Sequence, residues 1–146
     1  MKMKSIIVSI CMMLCAVMLP SVVASAEELE EQTEYLTETE MEAIIEEEIS
    51  NLINARTTAY SLSWTVPANM SYGTSYFRKE AGTSVTIDVA LSKSCKVGII
   101  NSSGIFRYVT GTSVNHTFSI TEGHNYKVMV KNENSSSSTV KGYYFR

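Results

Sequence analysis

From Thr57 onward the chain alternates apolar and polar residues with a period of two. Over residues 57–66, Tyr60, Leu62, Trp64 and Val66 fall on one side, and Ala59, Ser61, Ser63 and Thr65 on the other. Val85, Ile87, Val89 and Leu91 repeat the pattern against Ser84, Thr86, Asp88 and Ala90. Val114, His116, Phe118 and Ile120 do so again. A period of two is the mark of a half-buried strand, and these runs are rich in the β-branched and aromatic residues that pleated surfaces favour. Shorter strands are predicted at 75–79, 95–100, 105–110, 126–131 and 139–145. Turn residues separate the runs: Pro67 to Gly73, Asn101-Ser102-Ser103-Gly104, Gly111, and Gly123. About eight strands of this kind predict a mainly β fold, an antiparallel β-sandwich of Ig-like or jelly-roll-like form, with a small closed barrel as the alternative.

Before Thr57 the pattern is different. Met41, Ile44, Ile45, Ile49, Leu52 and Ile53 recur at helical spacing, and Glu46, Glu47 and Glu48 fall mostly off that stripe. Thr39 followed by Glu42 fits a capping box. This predicts an acidic amphipathic helix over 39–54, preceded by a polar stretch from Glu27 to Glu38. At the very start, Lys2 and Lys4 precede an apolar run from Ile6 to Leu19, and Ala24-Ser25-Ala26 forms a small-residue cleavage site. That is the pattern of a signal peptide over 1–26, cut after Ala26, and it predicts a secreted protein. The organisation expected is therefore a signal peptide (1–26), an acidic leader (27–56) and a β domain (57–146).

Charge sharpens this division. Residues 27–56 hold eleven Glu and a single Arg, a net −10, whereas residues 57–146 hold nine Lys or Arg against four acids, a net +5. The whole-chain value of −3 hides two opposed parts. The leader's acidic flank complements the basic domain, which makes it a candidate pro-segment or intramolecular mask, removed near Arg56. Its apolar stripe must also be buried, against the domain, a partner or a second copy. Of the three cysteines, Cys11 and Cys15 lie in the signal, so Cys95 is the one cysteine of the mature chain and no intrachain disulfide can form. Cys95 shares parity with Val97 and Ile99 and is expected to face the core.

One family resemblance follows from the turns and the last strands. Asn101-Ser102-Ser103-Gly104, then Gly123, Tyr126, Val128 and Val130, then Tyr144, resemble the turn, penultimate strand and closing aromatic strand of bacterial pre-peptidase C-terminal domains, over about residues 75–145. The Asp-Leu pair usual in the middle strands of that family is absent. The resemblance implies a sandwich module that accompanies secreted enzymes without being catalytic itself.

The inventory for chemistry is short. His116, His124, Asp88 and Cys95 carry no spacing for a catalytic triad, a zinc site or a calcium loop, and no Gly-rich phosphate loop occurs. No enzyme, metal or cofactor is expected. The basic residues are spread along an exported chain, which argues against nucleic acid as a partner. Recognition is left. Tyr72, Tyr76, Tyr143 and Phe145 are the aromatic candidates for stacking on sugar rings, and Lys127, Lys131 and Lys141 are candidates for facing an anionic polymer or an anionic membrane surface. The leading expectation is a small secreted binding module for a cell-surface polymer or glycan. A bacteriocin-like precursor or effector, its basic membrane-active domain masked by the leader, is the first alternative. A subunit of a secreted assembly, joined through the Met41 to Ile53 stripe, is the second.

Overall fold

The computed structural model describes the backbone of residues 29–48, 51–54 and 57–146, and the side chains of 29–48 and 59–146. The expected signal peptide, Ala26 and Arg56 lie outside the described residues. Among the described residues, ten strands and one short helix follow in the order β1 (Gln32–Tyr35), α1 (Glu38–Glu42), β2 (Ile45–Glu46), β3 (Asn51–Asn54), β4 (Thr57–Val66), β5 (Met70–Gly73), β6 (Phe77–Lys79), β7 (Ser84–Asn101), β8 (Ile105–Ser119), β9 (His124–Asn132) and β10 (Ser138–Phe145). The fold is mainly β, as the alternation predicts.

The strands form one continuous, curled, open sheet. All its pairings are antiparallel except the short parallel one between β2 and β5. Its spine is β7. The first half of β7 lies between β8 and β10, and the second half lies between β8 and β9. The change of neighbour falls at Ser92–Ser94, where the β7–β8 register shifts between Ala90 and Cys95. A bulge of this kind bends a strand and increases its twist, so β7 carries the sheet around a shared interior.

The run expected at 83–91 and the one at 95–100 are thus a single strand, and so are 105–110 and 113–120. Gly111, read as a turn from sequence, sits inside β8, where bulged pairing lets the strand continue. The hairpin at Asn101 to Gly104 does form. The Asn101 Oδ1 accepts from the backbone N–H of Ser103 and of Ile105, both at 3.0 Å, and Gly104 takes φ 86°.

The inner face holds the main core. Leu62, Trp64 and Val66 of β4 meet Val85, Ile87, Val89, Leu91, Cys95, Val97 and Ile99 of β7, and further buried residues of β8, β9 and β10. At one end Tyr144 stacks between Tyr60 and Phe77, with ring centroids 4.8 and 5.9 Å away. At the other end, fully buried Asn132 ties three segments together. Its amide donates to the carbonyls of Val66, Pro67 and Ser136, and its Oδ1 accepts from Asn134.

The helix expected over 39–54 is confined to Glu38–Glu42, and β2 and β3 follow it. The capping box exists two residues earlier than expected: Glu40 N–H donates to the Thr37 hydroxyl at 3.3 Å, and Thr37 N–H donates to the Glu40 carboxylate at 2.8 Å. Tertiary burial overrides helical spacing here. Leu36, Met41 and Ile44 pack on the outer face of the sheet against Ile100, Phe106, Tyr108 and Met129, forming a second apolar cluster, and a continued helix could not follow the strand edges that β2 and β3 pair with.

Two glycines are required by close backbone approach. A methyl group at Gly98 would overlap the Arg107 carbonyl of β8, and one at Gly142 would overlap the Asp88 carbonyl of β7. Gly98→Ala is expected to destabilise the fold by about 3 kcal/mol or more, on the scale of steric misfits in a packed interior. Ile99→Ala, which leaves a void at a fully buried position, is expected to cost about 2–5 kcal/mol. Ser63→Ala on the exposed face should stay within about 0.5 kcal/mol. Equilibrium urea denaturation of the three variants checks the order.

Candidate functional site

The seven predicted binding residues do not form one site. Lys141, Tyr143 and Phe145 project from the outer face of β10, because the residue between each pair, Gly142 or Tyr144, turns inward. Register places Lys141 between Ser63 and Ala90, Tyr143 between Ser61 and Asp88, and Phe145 between Ala59 and Thr86. Across β7 the same face continues with Ser113, Asn115 and Thr117 of β8, and the hydroxyls of Thr86 and Thr117 lie 2.8 Å apart. The result is a platform of hydroxyls and amides bearing one row of aromatic rings. Tyr143 is 43% exposed and available for stacking.

Tyr72 is not part of any outer surface. It pairs with Val130, an inward-facing residue of β9, so it shares that face and meets the edge of Trp64 at 6.3 Å. The expectation of an outward Tyr72 fails because β5 lies at residues read from sequence as a turn. Tyr76, 42% exposed, joins Lys127 and Lys131 on the opposite side of the molecule, under the leader.

There, the outer face of β7, β8 and β9 carries both charge and apolar surface. Lys96 of β7 stands directly across from Lys131 of β9. Two like charges in register repel each other, and the leader supplies the remedy. Glu34 bridges both ammonium groups, at 2.9 Å from Lys96 and 2.5 Å from Lys131, and Glu133 adds a second carboxylate at 3.0 and 3.6 Å. Past the β8 edge, on the inward side shared with Phe118, Glu31 takes Arg107 at 2.5 Å and His116 at 3.2 Å. Glu46 takes Lys127 at 2.8 Å. Gln32 accepts from the Tyr108 hydroxyl at 3.1 Å, and β1 adds itself to the edge of β8, Gln32 opposite Tyr108 and Tyr35 opposite Ile105.

Lys127 differs from the solvent-facing lysine expected at this position. It is 4% exposed, its stem runs along Gly73, and its ammonium lies 4.3 Å from the centre of the Tyr76 ring. A charge so buried needs a counter-ion, and Glu46 is its carboxylate partner among the described residues. Beside this assembly a groove of about 250 Å³ runs between the leader and β5, lined by Leu36, Glu40, Ala43, Asn69, Met70, Ser71 and Lys131.

Sequence reasoning marks Lys96 as one of the dispersed basic residues but does not bring it together with Arg107, Glu31, Glu34 and Glu46, since cross-strand register cannot be read from one strand. A signal was present, however. Val97 to Ile100, Phe106 with Tyr108, and Met129 between two lysines break the polar-out alternation, and a strand apolar on both sides is a strand covered on both sides.

Residues with catalytic chemistry are scattered. The Cys95 thiol is buried and contacts Asn132 Oδ1 at 3.7 Å, and its pKa is raised by desolvation. His116 is held by Glu31, and His124 lies 3.2 Å from Glu122. Among the described residues no group of three or more potential metal ligands occurs, and no helix is long and apolar enough to cross a membrane. No protein-family model matches the chain, and no curated protein matches it.

The leader's grip depends on pH with a definite sign. Desolvation by itself would raise the Glu34 pKa, but hydrogen bonds from Lys131 and Lys96 more than offset this and hold it below the ordinary 4.5. The unfolded or undocked carboxyl therefore takes up a proton first as pH falls. The contribution of Glu34 to docking is complete above about pH 4.5 and is lost as pH drops through the depressed value. Protection factors of the β1 amides, corrected for the slower intrinsic exchange at low pH, are expected to fall over that window, ahead of those of β7. Glu34→Gln should flatten the change.

Proposed function

We propose that this chain is a small secreted, non-catalytic binding module that holds a cell-surface polymer or glycan on the outer face of β10 and its neighbours. Tyr143 carries the reading: a large exposed ring, in one row with Phe145 and Lys141, set among Ser61, Ser63, Thr86 and Asp88. A flat ring stacks on the apolar face of a sugar, and flanking hydroxyls, amides and a carboxylate fix its orientation. The resemblance to pre-peptidase C-terminal modules supports a non-catalytic role, and with it we read the curled sheet as an antiparallel sandwich whose two layers share β7 and β8. Tyr143→Ala is expected to lower affinity for wall polysaccharide about tenfold, the loss of one stacking interaction of about 1.4 kcal/mol. Affinity electrophoresis through that polysaccharide, with unfolding midpoints as the control, measures it. Unchanged retention would dismiss the β10 platform.

A second reading is favoured by a separate observation, the pairing of Glu31, Glu34 and Glu46 with Arg107, Lys96, Lys131 and Lys127. In it the leader is a removable pro-region that masks a basic, membrane-active face. N-terminal sequencing of exported protein is then expected to find a start close to residue 57. A start at Glu27 alone would remove this reading.

A further inference from the structure

We propose that the outer face of β7, β8 and β9 is a binding site for an extended acidic segment of another polypeptide, and that residues 29–48 are its built-in, displaceable occupant. The inference shares with the second reading above the premise that the leader can leave this face, but it names a peptide, not a lipid surface, as what replaces it.

The chemistry of the site selects the ligand. Lys96 and Lys131, opposed in register, form a clamp in which Glu133 of the domain offsets one charge and a second carboxylate, now that of Glu34, offsets the other. Lys127 is a buried cation whose carboxylate partner among the described residues comes from the leader. On the same outer face Ile100, Phe106, Tyr108 and Met129 offer an apolar floor beside the lysines. Past the β8 edge, on its inward side, Arg107 and His116 hold a further carboxylate. Anionic polymers and lipid head groups would satisfy the charges alone. The backbone edge of β8 from Ile105 to Tyr108, in the register that β1 takes, can extend its ladder only with another polypeptide strand, as in strand addition to an exposed sheet edge. The leader shows the fit: Glu31 and Glu34 on the cations, Gln32–Tyr35 in the ladder, and Leu36, Met41 and Ile44 on the floor.

The leader is also separable from the interior. Among the described residues, every buried member of the main core lies between Leu62 and Tyr144, and the leader adds partly buried Leu29 to its border. Its own attachments are a few ion pairs at partly exposed side chains, the short ladders with β8 and β5, and the apolar contacts of Leu36, Met41 and Ile44 on the outer face. Because it is tethered, it competes at an effective concentration on the order of millimolar. A partner segment therefore binds well only when the leader is loosened.

The test uses the full chain with Glu31→Gln, Glu34→Gln and Glu46→Gln together, and a fluorescein-labelled synthetic peptide of residues 29–48 as probe, read by anisotropy. The triple variant is expected to bind the peptide at least tenfold more tightly than the native chain. Adding Lys96→Gln and Lys131→Gln should abolish that gain. Inorganic polyphosphate and phosphatidylglycerol vesicles should not compete at equal charge concentration. Binding no tighter than native, or binding indifferent to Lys96 and Lys131, overturns the proposal. Competition by vesicles would hand the face to the membrane reading, while failure of Tyr143→Ala to alter polysaccharide binding bears only on the β10 platform. Should the triple variant not fold, unlabelled peptide is titrated into the ¹⁵N-labelled native chain. Shifts at the amides of residues 32–35 and 105–108 but not at Tyr143 support the site, and none up to several millimolar peptide refutes it.

Discussion

β7 must satisfy backbone hydrogen bonds on both edges over eighteen residues, and it does so by exchanging β10 for β9 partway along. That exchange sets the rest of the structure. It forces a bulge at Ser92–Ser94, bends the sheet around one interior, and leaves β8 as the neighbour common to both halves. It also creates two unlike outer faces. Beside β10 the face is flat, hydroxyl-rich and open. Beside β9 it is apolar with lysines opposed in register, and it is covered.

The covering is electrostatic in its specificity and apolar in its anchoring. Eleven leader glutamates oppose a domain of net +5, and among the described residues Glu31, Glu34 and Glu46 are the ones that reach cations. Among the described residues three apolar leader side chains reach the second cluster, Ile44 buried and Leu36 and Met41 partly so, and full burial of one such side chain contributes roughly 1.5–3 kcal/mol, more than an exposed ion pair does. The carboxylates decide where the leader lies by relieving repulsion between Lys96 and Lys131. The apolar contacts keep it there. The same division of labour makes the face competent to receive a different acidic chain.

The alternation in residues 57–66 and the turn at Asn101 to Gly104 were legible because both are local. Each depends on neighbours in sequence: a pleat of period two, and a side-chain oxygen capping the amides two and four residues on. The inward side of Cys95 and the outward side of Tyr143 followed from the same parity. Tyr72 did not, since β5 lies in a stretch whose Pro67 and Gly73 read as a turn. The helix over 39–54 did not either. Its spacing is genuine, but Met41 and Ile44 gain more by meeting Phe106 and Met129 than by lining one side of an isolated helix, which is marginal at that length in water.

By itself, then, the chain's order of residues determined a β-rich domain, its inward and outward sides, and an acidic segment with something basic to answer. These are properties of short windows and of composition. Which strands merge into β7 and β8, that Lys96 stands opposite Lys131, and that Glu34 fits between them were decided only in three dimensions. Register is set by pairing between segments far apart in the chain, and no single strand carries the address of its partner.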